Sequence, residues 1–233
     1  MTEYLLVAIW RAPRVELATC RDRLLTEWVP EALAHDPSMT LTVSLAADDQ
    51  GPYTRAPDAY GLTAMVDAIA RVGLDRAHDL DDIPARDVLH PFARRVEAWR
   101  VDVQRPLKWD RTWPDGETAP GLKMVSFMRR AEALTRQQFV RHWTEQHAPL
   151  ALQHHVGLWN YTQNIVRRSY TPGGGQIDGI AELHFRTRDD FKERFFDSDE
   201  GRAVIMADVK RFMGKPGPET ALLTELPVRT PGD

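Results

Sequence analysis

The chain has 233 residues, 42% hydrophobic and 27% charged, which is enough for one substantial core or two small ones and outside the composition of disordered or fibrous chains. A formal net charge of −4 gives no basic excess that would argue for nucleic acid or an anionic membrane. The single cysteine, Cys20, excludes an internal disulfide and any multi-cysteine metal site and fits a reducing compartment.

From the N-terminus, "EYLLVAIWR" reads as an apolar strand too short for a secretory signal, and no later stretch approaches the roughly 20 apolar residues of a membrane span. The expectation is a cytoplasmic protein whose partner is a small molecule or another protein, with no nucleic acid and no membrane as partners. "VELATCRDRLLTEWVPEAL" follows as a helix and "TLTVSLA" as a second strand. A long loop, "AADDQGPYTRAPDAYG", leads into a third strand starting near Gly61, and "VEAWRVDV" is a fourth. "RPLKWDRTWPDGETAPG", rich in proline, glycine and charge, reads as a linker in which Trp109 and Trp113 pack over a sheet joint.

The same order then begins again. "LKMVSFMRR" repeats the first strand, with Arg11 matching Arg130 at an offset of 119 residues, and that offset carries Leu24 onto Trp143, Trp28 onto His147 and Pro30 onto Pro149. "WNYTQNI" overlays the second strand, pairing Leu45 with Asn164. After a slip of one residue "DGIAELHF" overlays the third, pairing Gly61 with Gly179 and Ala64 with Glu182. "DSDEGRAVIMADVKRF" is a helix capped by Ser198 or Asp197, with Ala203, Met206, Val209 and Phe212 inward, and "TALLTELPV" is the last strand. The predicted class is α+β: two tandem ferredoxin-like βαββαβ repeats, 1–104 and 121–228, joined by a linker at 105–120 and followed by a tail at 229–233. A sheet with helices on one face needs cover on the other, and two halves can cover each other sheet against sheet.

In "FVRHWTEQHAPLALQ", Phe139, Trp143, His147 and Leu150 fall on one helical stripe, so His147 faces the sheet. A buried imidazole without a partner costs on the order of 1 to 3 kcal/mol, so a polar group should meet it. A core histidine bonded to a backbone carbonyl is the plain alternative to a functional one. The second half is also the more polar, with Tyr161 and Asn164 on one strand and Glu182 and His184 on the next. Asp178, Ile180, Glu182 and His184 alternate onto the face away from the helices, whereas Ala181, Leu183 and Phe185 face them. Tyr161, with a hydroxyl able to donate, is the better neighbour for His147. His142 and His147, five residues apart, would point roughly 140° away from each other on an α-helix, so no metal site is expected. His154 and His155 close the helix, where protonated imidazoles oppose its dipole.

Taken together, "FVRHWTEQHAPLA", "GLWNYTQN", "IDGIAELHF" and "DSDEGRAVIMADVKRFM" resemble the EthD family of dimeric α+β barrel proteins, in the family's order and at its spacing from Gly121 to Val228. The resemblance implies a ferredoxin-like barrel with a cavity between helices and sheet, no cofactor, and His147 as general acid or base. Loss of the helix histidine from the first half suggests a fused dimer with one working site, either monomeric or paired again as a homodimer. The function implied is a cofactor-independent lyase, dehydrating or decarboxylating a small hydrophobic, aromatic or polyketide-like substrate, with His147 and Tyr161 catalytic and Phe139, Trp143, Trp159, Asn164 and Glu182 binding. An isomerase or cyclase would use the same enolate chemistry. A non-catalytic binder of a hydrophobic metabolite or haem, and a fold kept for assembly alone, are the alternatives.

Overall fold

The computed structural model describes residues 3–36, 38–48, 67–73, 83–171, 176–215 and 218–230. The element order in the first half is β1 (Glu3–Arg11), α1 (Leu17–Arg23), α2 (Val29–His35), β2 (Thr40–Ala46), β3 (Ala68–Gly73), α3 (Arg86–Leu89) and β4 (Ala93–Leu107). The second half contains β5 (Leu122–Met128), α4 (Arg136–Arg141), α5 (Ala148–His154), β6 (Leu158–Ser169), β7 (Gly179–Phe185), α6 (Arg188–Glu193), α7 (Asp199–Phe212) and β8 (Glu219–Arg229). Several strands are buried along their whole length, because each has one side against the helices and the other against a shared interior: every residue of β5 and β7 is buried.

All the described sheet pairs are antiparallel, and they close into a barrel ordered β1-β3-β2-β8-β5-β7-β6-β4. The first half contributes β4-β1-β3-β2 and the second β8-β5-β7-β6, the same internal order twice. The halves join edge to edge, through β2 with β8 and β4 with β6. This corrects the expected face-to-face packing: pairing the free edges satisfies backbone groups that a sandwich would leave open.

Side chains sort into three clusters. Leu5, Val7, Cys20, Leu24 and Trp28 lie between the first half's helices and its strands, and Phe139, Trp143, Tyr161, Phe185 and Phe212 do the same in the second. Leu6, Trp10, Trp99, Val125, Phe127 and Ile180 fill the barrel. The alternation predicted for β7 holds, with Ala181, Leu183 and Phe185 on the helix side and Ile180 in the barrel.

The register also revises the repeat. Gly61 and Ala64 lie outside the described residues. Within the ladders Leu6 faces Arg71 as Val125 faces Glu182, so Arg71 is the first-half counterpart of Glu182. Likewise Ser44 faces Ile69 as Asn164 faces Ile180, so Ser44, rather than Leu45, corresponds to Asn164. The 119-residue offset does not extend into this strand because the loops before it differ in length.

β4 runs to Leu107, into the stretch read as linker. The remainder crosses beside β8, with Gly116 N–H donating to Pro227 O at 2.8 Å and Ala119 N–H to Glu225 O at 2.7 Å. Trp109 packs on Trp113, Trp159 and His184 at 5.1, 4.9 and 4.3 Å between ring centroids.

Candidate active site

α4 begins at a capping box, with Thr135 accepting from Gln138 N–H and the Gln138 side chain accepting from Thr135 N–H. It then passes through a π-helical segment, His142–His147, into α5. Ala148 N–H bonds to Trp143 O five residues back, and Val29 N–H does the same to Leu24 O after the first half's π segment, Leu24–Trp28. Both segments end two residues before a proline, Pro149 or Pro30. Proline lacks an N–H and its ring crowds the carbonyl four residues earlier, and the wider turn accommodates both effects.

This turn overturns the helical-wheel reading. In a π turn residues five apart stand nearly one above the other, so His142 and His147 face the same way. It also moves the inward stripe: beyond His147 the buried residues are Ala148 and Ala151, and Leu150 is only half-buried. Cys20, Leu24, Trp28, Val29 and Ala32 reproduce this burial pattern at the same offset.

Both histidines meet Asp208 of α7. His142 Nε2 lies 2.8 Å from Asp208 Oδ1, and His147 Nδ1 lies 2.9 Å from Oδ2. Asp208 is 4% exposed and His147 8%. The inward face of α7 is Gly201, Ile205, Asp208 and Phe212, and Met206, expected inside, is exposed. Ser198 is the N-cap, accepting from Gly201 N–H. Burial pushes the Asp208 carboxyl up, but hydrogen bonds from His147 and His142 outweigh it and hold the group below its ordinary value. An ionised carboxylate only accepts, so His147 donates through Nδ1–H, the tautomer that in a neutral imidazole leaves the lone pair on Nε2. Nε2 has no hydrogen-bond partner among the described residues. Phe212 lies against both imidazoles, with centroids 5.0 Å from His142 and 4.9 Å from His147.

The other expected site residues divide among three places. Phe139 and Trp143 are fully buried beside the dyad and pack on each other at 5.7 Å. Trp143 lies so close to β7 that a Cβ on Gly179 would come within 2.6 Å of its ring. Trp143 Nε1–H donates to the Tyr161 hydroxyl at 3.1 Å, and Gln163 Nε2 donates to the same oxygen at 3.0 Å. Burial pushes the Tyr161 phenol up to about 12, so it remains a neutral donor; no hydrogen bond joins it to His147. Asn164 and Glu182 lie inside the barrel. There Asn164 Nδ2 donates to Glu182 at 2.8 Å, Lys123 Nζ pairs with Glu182 at 2.8 Å and Glu225 at 2.6 Å, and Arg71 pairs with Glu182. Trp159 is at the barrel end, under the Arg186 guanidinium at 5.3 Å.

At the helix end, desolvation pushes His155 down to about 4, so it is neutral and donates Nδ1–H to Phe195 O at 2.6 Å. This corrects the expectation of a protonated pair at the helix dipole. His154 bonds Asp197 at 2.9 Å.

The first half keeps the scaffold without the chemistry. Trp28 stands at the place of His147 with its Nε1–H donated to Pro84 O at 2.9 Å, and Arg23, at the place of His142, lies 4.8 Å over Phe92. Among the described residues no group of three or more His, Cys, Asp or Glu could hold a metal ion. A haem fits poorly here. Its flat slot would have to open where Phe139, Trp143, Tyr161 and Phe212 are each 1% exposed or less, and Phe212 already covers the imidazole.

The EthD domain family matches residues 131–216, from just before α4 to just past α7, which bears out the resemblance of the second half. No curated protein matches the chain. An anthrone oxidase-like protein of known structure is similar at TM-score 0.60 and 10% identity, over 97% of this chain and 92% of that one. A mutant chlorite dismutase from Candidatus Nitrospira defluvii, in complex with cyanide, is similar at TM-score 0.52 and 13% identity, over 97% and 91%. A candidate dyp-type peroxidase from Shewanella oneidensis is similar at TM-score 0.53 and 10% identity, over 97% and 92%. At these identities the likeness is one of fold, the α+β barrel. No helix among the described residues is long and apolar enough to cross a membrane.

Proposed function

We propose that this protein is an enzyme of acid/base chemistry in which His147 Nε2 removes a proton from an enolisable, hydrophobic and aromatic substrate. The observation that carries the reading is the 2.9 Å bond from His147 Nδ1 to Asp208, which fixes the tautomer and leaves the second nitrogen as a base. Phe139, Trp143 and Phe212 supply the apolar surroundings, and Tyr161, whose oxygen accepts from Trp143 and Gln163, keeps its own proton for a developing oxyanion. The enolate so formed expels a β-hydroxyl as water, taking a proton back from His147, or arises directly by loss of carbon dioxide: a cofactor-independent lyase. The same enolate with a shifted proton gives the isomerase or cyclase reading.

A second reading is favoured by the near full-length likeness to an anthrone oxidase-like protein: the enolate is oxidised by molecular oxygen, one oxygen atom becoming a new carbonyl and the other leaving as water, instead of eliminating. The oxidase and the dehydrating lyase begin with the same proton abstraction. We further read the two halves as duplicated ferredoxin-like units, a single-chain counterpart of a dimer with one site, in a cytoplasmic protein.

The test is deuterium exchange at the methylene of anthrone in D2O, followed by NMR. Protein should accelerate it, and His147→Ala should remove on the order of 10² to 10⁴ of that acceleration. Exchange no faster than in buffer would overturn the acid/base reading. Oxygen uptake with anthraquinone formation would favour the oxidase over the lyase.

A further inference from the structure

We propose that His142 is a positioning residue, whose hydrogen bond to Asp208 locks the carboxylate so that His147 presents Nε2 as its lone-pair nitrogen. The inference rests on His147 being the base, and it assigns a role to a histidine that the sequence had set aside. A carboxylate that bonds only one imidazole can rotate about its terminal bond and exchange its oxygens. Here each oxygen is committed to a different ring, His142 Nε2 at 2.8 Å on Oδ1 and His147 Nδ1 at 2.9 Å on Oδ2. A carboxylate accepts and does not donate, so both nitrogens carry hydrogen and both tautomers are set by one group.

The surroundings hold the arrangement in place. His142 stacks on Phe212 with an interplanar angle of 24° and a centroid separation of 5.0 Å, and Phe212 also lies against His147, so the two rings share a wall as well as an acceptor. The π turn makes this possible by bringing residues five apart onto one face. Where the first half keeps the turn and loses the histidines, Arg23 stands at the position of His142 and is turned to Glu27, so the shared acceptor belongs to the half that carries His147.

The experiment uses the full chain labelled with ¹⁵N-histidine and reads the tautomer of His147 from its ring nitrogen shifts and the solvent exchange of its Nδ1–H. His142→Phe keeps an aromatic ring against Phe212 and removes the hydrogen bond; His142→Gln restores a donor without an imidazole. In His142→Phe, Nδ1–H exchange should be about tenfold faster, the size expected for loss of a charge-assisted hydrogen bond, with a mixed tautomer signal. His142→Gln should return both toward the parent protein. Asp208→Leu, which removes both acceptor oxygens, should abolish the signature and serves as the reference for full loss. If His147 in His142→Phe keeps the parent shifts and exchange rate, His142 does not position it and the proposal is overturned. Should His142→Phe fail to fold, His142→Leu, which also lacks the donor, decides by the same readouts: faster exchange with a mixed tautomer signal supports the proposal, and the parent shifts and exchange rate overturn it. None of these readouts needs turnover, so failure of the anthrone test with an intact tautomer effect would remove the catalytic reading and leave the positioning intact.

Discussion

At the scale of single residues, Asp208 and Glu219 show what burial does to a carboxyl with and without partners. Asp208 has two imidazole donors and remains ionised. Glu219, at the start of β8, is 2% exposed, and neither oxygen has a hydrogen-bond partner; burial pushes its carboxyl up to about 7, with Arg95 and Arg129 pulling the other way. Between its ordinary value of 4.5 and about 7, the folded chain holds a proton that the unfolded chain has released. This contribution therefore makes stability fall as pH rises across that window, then level off above it. Thermal melts of parent and Glu219→Gln from pH 4 to 9 should show the two diverging through the window, with the variant the more stable on the alkaline side. Parallel melting curves would mean that Glu219 is already solvated or paired. Asp208 itself was within reach of the sequence, since Gly201, Ile205, Asp208 and Phe212 are spaced four, three and four. Ala203, Met206 and Val209 compete with that stripe on aliphatic character, although Ala203 and Met206 are exposed, and no local pattern marks Asp208 as the partner that the buried imidazole requires.

At the scale of elements, the helix was legible but its turn was not. Thr135 and Gln138 announce the start of α4, and the stripe through Phe139, Trp143 and His147 is correct up to the imidazole. Beyond it a fixed 100° step fails, because the π segment inserts a wider turn whose only local sign is the proline two residues on, present in both halves. The turn is held from below by Trp143, seated where β7 has no side chain. Gly179→Ala puts a methyl group 2.6 Å from the Trp143 ring, and overpacking of this kind costs roughly 1 to 3 kcal/mol. Urea denaturation should show that loss, together with altered indole fluorescence as the bond from Trp143 Nε1 to Tyr161 is displaced. A variant with parent stability would show that the helix can ride outward freely and that the glycine does not fix its height.

At the scale of the whole molecule, the recurring element order was legible in Arg11 with Arg130 and Pro30 with Pro149, whereas the closure of the barrel was not. Edge pairing of β2 with β8 and β4 with β6 is a long-range choice that leaves no local pattern. What closure creates is an enclosed set of charges: Arg71 from the first half, and Lys123, Glu182 and Glu225 from the second, two positive and two negative. Burial alone would push the Glu182 carboxyl up; Arg71 and Lys123 outweigh it and hold the group at about 2. The set is neutral only as a whole. Arg71→Leu strands one negative charge and Glu182→Leu one positive, each expected to cost on the order of 3 to 5 kcal/mol. The double replacement leaves Lys123 with Glu225 as a balanced pair and should be less destabilised than the sum of the singles, with a coupling of roughly 0.5 to 3 kcal/mol. The cycle is read by urea denaturation at neutral pH, where Glu182 is ionised. Because Arg71 and Glu182 belong to opposite halves, that coupling measures how much the interior charges add to the edge ladders in holding the halves together. Additive single effects would mean that the ladders and the apolar layer of Trp10, Trp99 and Phe127 close the barrel by themselves, with the buried charges merely tolerated within it.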